Sequence, residues 1–327
     1  MSVSIERVRL ADSAEWDEIW KNCDYSTFFH SREWAEICSE YSNGSLRPKP
    51  MLVVFSDKKK ALLPFSCARK LKGLVTNIVS SPMGTYGGWI STDDLSVPHA
   101  VLLCEYLTVK LKNLQLRLNP YDEIALRSGI KFNKYDETHA LSLVCGFDEI
   151  FAGWTKGHSS AARKARKEGV RIRIGSTLDD WQAYCQVYLD TLRRWGDRAS
   201  SSYSEHLFLQ MFQKRSSNIK LWLAFYEDKV VAGAVCFYAG RHAVYWHGAA
   251  LEETFKLRPV NLLMYEVIKD ACENGYEWFD FNPSGGHPGV VAFKKSFGAR
   301  PLPCPVIITQ SGWSELIRRI AARQRDR

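Results

Sequence analysis

Asp280-Phe-Asn-Pro-Ser-Gly-Gly-His-Pro-Gly-Val-Val-Ala-Phe-Lys-Lys-Ser-Phe-Gly298 is the stretch on which the reading of this chain turns. An apolar strand, Glu277 to Phe281, runs into it and ends in a loop with two prolines and three glycines. Such a loop is shaped by fixed φ at proline and permissive φ at glycine. It leads to Phe293-Lys294-Lys295 and a second Phe-Gly. A lysine just past a buried strand, bracketed by Phe293 and Phe297, can hold a fixed positive charge over a reacting carbonyl. Lys294 is therefore a candidate catalytic group with Phe293 as its aromatic neighbour; the plain alternative is a surface lysine. An extended segment here would place Lys294 in a cleft and turn Lys295 away from it. Asp280, charged in an apolar strand, either hydrogen-bonds nearby backbone or faces a cleft. Asn282 and His287 lie in the loop. His287, and His247 on an earlier strand, are candidate bases, although most histidines are structural or exposed.

Upstream, the second half reads as helix, helix, hairpin, strand, helix, strand. Helices are expected from Thr177 to about Trp195 and from Ser204 to Lys214. Leu221 to Tyr226 and Val230 to Tyr238 flank the charged turn Glu227-Asp-Lys229, which is a hairpin signal. A strand Ala243 to His247, carrying Tyr245, and a helix Val260 to Asn274 come next. Leu263, Val267 and Ala271 share one face of that helix, and Gly275 stops it. The first half repeats this plan. Helices fall at Asp12–Lys21 and Ser31–Tyr41. A hairpin joins Met51–Phe55 to Ala61–Cys67, and a strand Val75–Ser80 and a helix Val97–Leu111 follow. Between those last two lies Gly84-Thr-Tyr86-Gly-Gly-Trp89, which makes Tyr86 a candidate ligand contact. The expected class is α+β, two tandem domains on mainly antiparallel sheets, divided near residue 150, with the second running to 310. Residues 311–327 read as a basic helix or tail.

Between the halves, Ser159-Ser-Ala-Ala-Arg163-Lys-Ala-Arg166-Lys167-Glu-Gly169 reads as a short helix capped by serine and ended by glycine. Arg163, Arg166 and Lys167 fall on one face. Val170 to Ile174 then alternates as a half-buried strand with Arg171 and Arg173 outward. The segment reads two ways: a phosphate clamp, since arginine forks match phosphate oxygens, or a solvated basic face.

The chain has 327 residues, more than one core usually covers. With 46% hydrophobic and 24% charged residues it has globular composition, and no apolar run approaches the eighteen residues of a membrane span. The N-terminus lacks the apolar run of a signal peptide. Nine scattered cysteines without a Cys-x-x-Cys pair argue for reduced thiols in a cytoplasm rather than a zinc site. A net charge of +8 is compatible with an anionic partner such as a nucleotide, tRNA or acidic membrane surface. Phosphate-binding Gly-rich loops, the Gly-x-Ser-x-Gly elbow and His-Glu-x-x-His are absent, so ATP hydrolysis, NAD chemistry, serine hydrolysis and a catalytic metal have no support.

Three stretches resemble the FemAB/FemX family of peptidyltransferases, which belong structurally with the Gcn5-related acetyltransferases. Lys156 to Val170 is similar to that family's Arg-x-x-Arg-x-Ala-x-x-x-Gly-Val block, with the second arginine displaced to Arg166. The run from Leu221 through the helix Val260–Asn274 is the second. The ending Phe281-x-x-Ser284…Gly289…Phe293-Lys294…Phe297-Gly298 is the third and the specific one. The resemblance covers roughly residues 150 to 300 and implies a tandem acetyltransferase-like fold and an acyl or aminoacyl transferase that forms an amide. It implies an anionic acyl donor, aminoacyl-tRNA or acyl-CoA, and an amine-bearing acceptor such as a cell-wall precursor. Lys294 then matches the family lysine near the reacting ester. Arg163, Arg166, Lys167, Tyr86, Tyr245, His247, Asp280, Asn282 and His287 are the expected substrate contacts.

Two departures matter. There is no room for the family's coiled-coil arm. Where acetyl-CoA enzymes carry a glycine-rich pyrophosphate loop, this chain reads Leu257-Arg-Pro-Val-Asn-Leu262, which lacks the glycines whose N–H groups cradle phosphate. Acetyl-CoA is therefore disfavoured as cofactor. Two rivals stay open: an acyl-CoA-dependent N-acyltransferase of polysaccharide or metabolite synthesis, and a non-catalytic RNA- or membrane-associated protein. The expected location is the cytoplasm, compatible with contact at the inner membrane face.

Overall fold

The structure, a computed structural model, describes residues 3–70, 75–80, 82–199 and 201–310. The basic tail expected at 311–327 lies outside the described residues. The chain divides into two compact units, Met1–Glu137 with Pro303–Arg327, and Thr138–Leu302.

The first unit opens with β1 (Ile5–Leu10), α1 (Ser13–Asn22), α2 (Arg32–Tyr41), β2 (Leu46–Phe55) and β3 (Lys60–Lys70). It continues with β4 (Val75–Val79), α3 (Val97–Glu105), β5 (Leu114–Arg117) and α4 (Glu123–Arg127). The second unit runs through β6 (Glu137–Ser142), α5 (Phe147–Ala152), α6 (Lys156–Lys167), β7 (Arg171–Gly175), α7 (Leu178–Trp195) and α8 (Glu205–Lys214). Then come β8 (Ile219–Tyr226), β9 (Lys229–Ala239), β10 (His242–Ala250), α9 (Pro259–Glu273), β11 (Trp278–Asp280), α10 (Pro288–Lys295) and β12 (Arg300–Pro303). The final strand, β13 (Val306–Ile308), pairs with β5 and so returns the chain to the first sheet.

The sheets run β1-β2-β3-β4-β5-β13 and β12-β6-β11-β10-β9-β8-β7. Each contains a parallel pair, β4 with β5 and β10 with β11, and a helix crosses over within each pair, α3 and α9. The layout read twice along the sequence is thus present as two mixed sheets flanked by helices. The division differs from the expected 150. β6 hydrogen-bonds to β11, so the chain enters the second sheet at residue 138, and the pairing of β13 takes residues from 303 back.

Local chemistry accounts for the elements that carry the site. Thr177 caps α7, accepting from the Asp180 N–H, while the Asp180 carboxylate bonds the backbone of Ser176 and Thr177. The same carboxylate pairs with Arg173 on β7 at 2.6 Å, and that bond holds its pKa well below the usual carboxylate range. The β8–β9 hairpin closes on Glu227 and Asp228, both at positive φ, 47° and 62°. That is the two-residue turn whose twist suits paired strands. Leu263, Met264, Val267, Ile268 and Ala271 of α9 pack on Ala234, Cys236 and Tyr238 of β9. Burial of a side chain of this size contributes about 1.5–3 kcal/mol. α10 is new relative to the sequence reading. Pro288, with its fixed φ, starts it, and the segment expected to be extended is helical through Lys295.

Candidate functional site

The site grows from an irregularity in β10. β10 pairs with β11 over His242–Val244 and leaves it after the partners Val244 and Asp280. On its other side β10 stays paired to β9, with a register shift between Tyr245 and His247. A regular strand sends neighbouring side chains to opposite faces. The bulge breaks that rule. Trp246 meets Phe237 of β9 and Phe208 of α8, while His247 meets Tyr184 and Tyr188 of α7. Both rings therefore point to the face covered by α7 and α8. The opposite face of β9 packs on α9, through Ala232 and Ala234.

Where β10 has parted from β11, a cavity of about 370 Å³ opens. Tyr188, Thr191, Arg194 and Trp195 of α7 line one side. Phe255, in the short 3-10 helix before α9, Val260 in the first turn of α9, and Phe293 of α10 line another. Gly233, Gly248, Ala249 and Ala250 form the floor, with Tyr245 and His247 above it. Two glycines are required by close approach. A Cβ on Gly233 would stand 2.5 Å from the Tyr184 ring, and one on Gly248 would stand 1.7 Å from the Tyr245 hydroxyl. Much of the wall is aromatic, from Tyr188, Trp195, Phe255 and Phe293. Arg194 reaches the Ala250 carbonyl at 3.3 Å and lies 4.6 Å over the Phe255 ring. Tyr184 Oη lies 2.5 Å from His247 Nδ1. Burial pushes the pKa of His247 down to about 3 and raises those of Tyr184 and Tyr245.

A second polar cluster sits at the end of β11. The Asp280 carboxylate is wholly buried and accepts from the Thr138 hydroxyl and, at 2.6 Å, from the Asn282 N–H. Lys294 Nζ donates to the carbonyl of the same Asn282, which holds a positive φ of 60°. Lys294 is 3% exposed, whereas Lys295 points outward. The exposed, extended lysine of the sequence reading is thus corrected to a buried one in the last turn of a helix. The lysine pair still faces two ways, because consecutive helical residues are about 100° apart.

Residues 155–295 match the acetyltransferase (GNAT) domain family. A crystal structure of FemX superposes with a TM-score of 0.73 at 14% identity, covering 95% of this chain and 99% of its own. The protein has a FemX-like tandem fold whose second unit is GNAT-like. Two further structures share this FemX-like architecture. One is the C-terminal domain of an Agrobacterium fabrum protein provisionally named a lysylphosphatidylglycerol synthetase, with TM-score 0.57, 12% identity and coverage of 89% and 96%. The other is L-PGS from Bacillus licheniformis, with TM-score 0.53, 13% identity and coverage of 89% and 95%. No curated protein matches significantly in sequence.

The FemX-like fold gathers some of the expected residues and separates others. Tyr245, His247 and Phe293 meet in the cavity, and His287 stacks edge-on against Trp195 of its wall at 5.2 Å. Asp280, Asn282 and Lys294 form the buried cluster. Arg163, Arg166 and Lys167 lie on the exposed face of α6, away from the cavity lining. There Arg163 lies over the Phe151 ring, and Arg166 pairs with Glu266 at 2.7 Å and lies over Tyr265. Tyr86 is in the first unit, fully buried against Phe29 and Tyr121. The sequence reading missed Tyr184, Tyr188, Thr191 and Trp195. Their spacing of i, i+4, i+7, i+11 on one helix was a visible stripe.

The start of α9 has no glycine-rich loop: Arg258 takes the left-handed position there with φ 58°, Pro259 has no N–H to give, and the Asn261 side-chain amide meets His158 at 2.9 Å. Among the described residues no helix is long and apolar enough to cross a membrane.

Proposed function

We propose that the second unit transfers an aminoacyl group from aminoacyl-tRNA to the amine of a cell-wall or related precursor. The observation that carries this reading is the parting of β10 from β11 with an aromatic cavity in the gap, inside a GNAT-like unit. The FemX-like fold and the name of the Agrobacterium relative favour an aminoacyl donor, and the lack of a glycine-rich loop at the start of α9 disfavours coenzyme A.

In this reading the acceptor amine and the donor ester meet beside β10. The nitrogen lone pair forms the C–N bond, the ester C–O bond breaks, and the proton lost by the amine leaves with the tRNA hydroxyl. Holding both partners in one cavity supplies much of the rate by proximity. Phe293 forms a wall of the cavity. Lys294 acts behind it, fixing the Asn282 turn and α10 so that Phe293 faces inward. The basic face of α6, which carries Arg163, Arg166 and Lys167, is the candidate approach for tRNA phosphates.

The test is transfer by the full chain from radiolabelled aminoacyl-tRNA and, separately, radiolabelled acetyl-CoA. The acceptor is a nucleotide-linked cell-wall peptide precursor. Label passing to the acceptor from the tRNA ester supports the reading. Label passing from acetyl-CoA alone, or from neither donor, overturns it.

A further inference from the structure

The Tyr184–His247 pair is a part of the cavity to which the amide-forming reading assigns no task. Tyr184 is wholly buried, and its hydroxyl has His247 Nδ1 as its hydrogen-bond partner at 2.5 Å. Two arrangements of protons satisfy that distance. If Nδ1 carried the proton, the tyrosine oxygen would accept it, and the tyrosine's own proton would be buried with no acceptor among the described residues. An orphaned buried donor is costly. If the tyrosine donates, both groups are satisfied and the neutral imidazole carries its proton on Nε2. The second arrangement is the one the packing selects.

The ring itself is clamped. Tyr188 lies edge-on at 4.4 Å between centroids, and Phe208 lies at 5.1 Å. Gly233 leaves the space that Tyr184 occupies. His247 lines the cavity, and its Nε2 has no protein partner among the described residues. Three neighbouring polar groups are committed elsewhere. Thr191 Oγ1 donates toward the Ala250 carbonyl at 3.3 Å, Arg194 reaches the same carbonyl, and the Tyr188 hydroxyl accepts from the Tyr203 N–H at 3.1 Å.

We propose that His247 donates its Nε2–H to the carbonyl oxygen of the acyl group, and that Tyr184 is the positioning residue that fixes this tautomer. The proposal rests on the amide-forming reading of the same cavity. As the amine attacks, the carbonyl π pair moves onto oxygen, and the fixed N–H stabilises the developing charge without transferring its proton. The pair then returns and expels the leaving alkoxide. A histidine whose pKa is pushed down stays neutral throughout the working range, so it serves as a donor and not as a proton carrier.

Three variants and one spectrum test this. His247→Phe keeps the shape and removes the donor; kcat is expected to fall by about a hundredfold with KM little changed. His247→Gln, whose amide can reach the Nε2 position, recovers part of the loss. Tyr184→Phe lowers kcat by about tenfold while the chain stays folded. Isotope-edited NMR of the histidine ring nitrogens reads the tautomer without any turnover. The parent should show the Nε2–H form alone, and Tyr184→Phe a mixture. The proposal is overturned if the parent shows the Nδ1–H form, or if His247→Phe turns over like an active parent. A parent that transfers no acyl group to any amine overturns the amide-forming reading and this proposal with it. The Nε2–H spectrum then still establishes that the pairing itself was assigned correctly.

Discussion

The two polar corners of the second unit are built on different terms. Around Asn282, Asp280 takes the N–H and Lys294 the carbonyl of one residue, and both charged side chains are buried. Around His247, one ring nitrogen is held by Tyr184 and the other is left to a cavity of about 370 Å³. The first corner spends its charges on holding a turn. The second keeps a neutral donor for something outside the protein. A lysine between phenylalanines looks like chemistry in a sequence, and a histidine in a strand looks ordinary. The difference lies in which protons and lone pairs are already committed, and only folding decides that.

The largest effect expected from this contrast is at the cavity floor. Gly248→Val places a side chain where the Tyr245 hydroxyl sits, at 1.7 Å from the ideal Cβ position. Transfer should drop by about a hundredfold or more, with a stability cost of about 1–3 kcal/mol from overpacking. Initial rates and urea unfolding measure the two. Full activity in Gly248→Val would show that the reaction happens elsewhere.

Next comes the buried corner. Lys294→Ala removes a buried charged donor and should cost about 1.5–3 kcal/mol in urea unfolding. Lys295→Ala, exposed, should stay within about 0.5 kcal/mol of the parent. Equal stability of the two would break the contrast, because Lys294 would then be free to act at the surface.

The pH dependence sharpens it further. His247 has a pKa lowered from the ordinary 6.5 to about 3, so the unfolded chain binds the proton more readily. Its contribution to stability is complete above 6.5 and is lost as pH falls toward about 3. His30 in the first unit, lowered to about 4 by burial, acts in the same sense. The stability difference between the parent and His247→Phe should therefore move against the parent as the pH is lowered from about 7 to about 4. A difference independent of pH would mean that the ring titrates normally and is open to solvent.

The smallest effect is on α6. Arg166→Ala breaks an exposed pair with Glu266 and should change stability by about 0.2–1 kcal/mol. Reversing charge at Arg163 and Arg166 together should weaken donor binding and flatten its salt dependence if this face meets phosphate. An unchanged salt slope would leave α6 as a solvated face.

Much of the fold was legible because its signals are local. The β8–β9 turn, the apolar face of α9 and the Thr177 start of α7 each follow from spacing and capping over a few residues. The strands β6 and β13 were not legible, since three or six residues join a sheet through partners far away in sequence. α10 was hidden by its own loop: Pro and Gly suggested an irregular segment, and Pro288 instead begins a helix. For the site, Tyr245, His247 and Phe293 were named from sequence and meet in the cavity. Tyr184 could not be tied to His247, because their contact depends on a bulge and on the absent Cβ of Gly233. Lys294 was expected to line a cleft from an extended segment, and its burial was not legible because it depends on Asn282 holding a left-handed turn beneath it.

The central claim is that the acyl group is transferred in the cavity beside β10. A photoreactive, non-hydrolysable aminoacyl ester analogue, crosslinked to the full chain and mapped by mass spectrometry, tests it most directly. The account predicts labelled residues on β10, on α7 between Tyr188 and Trp195, and at Phe293, with labelling suppressed by unmodified aminoacyl-tRNA. Competable labelling confined to the first unit, with none on β10 or α7, would contradict it.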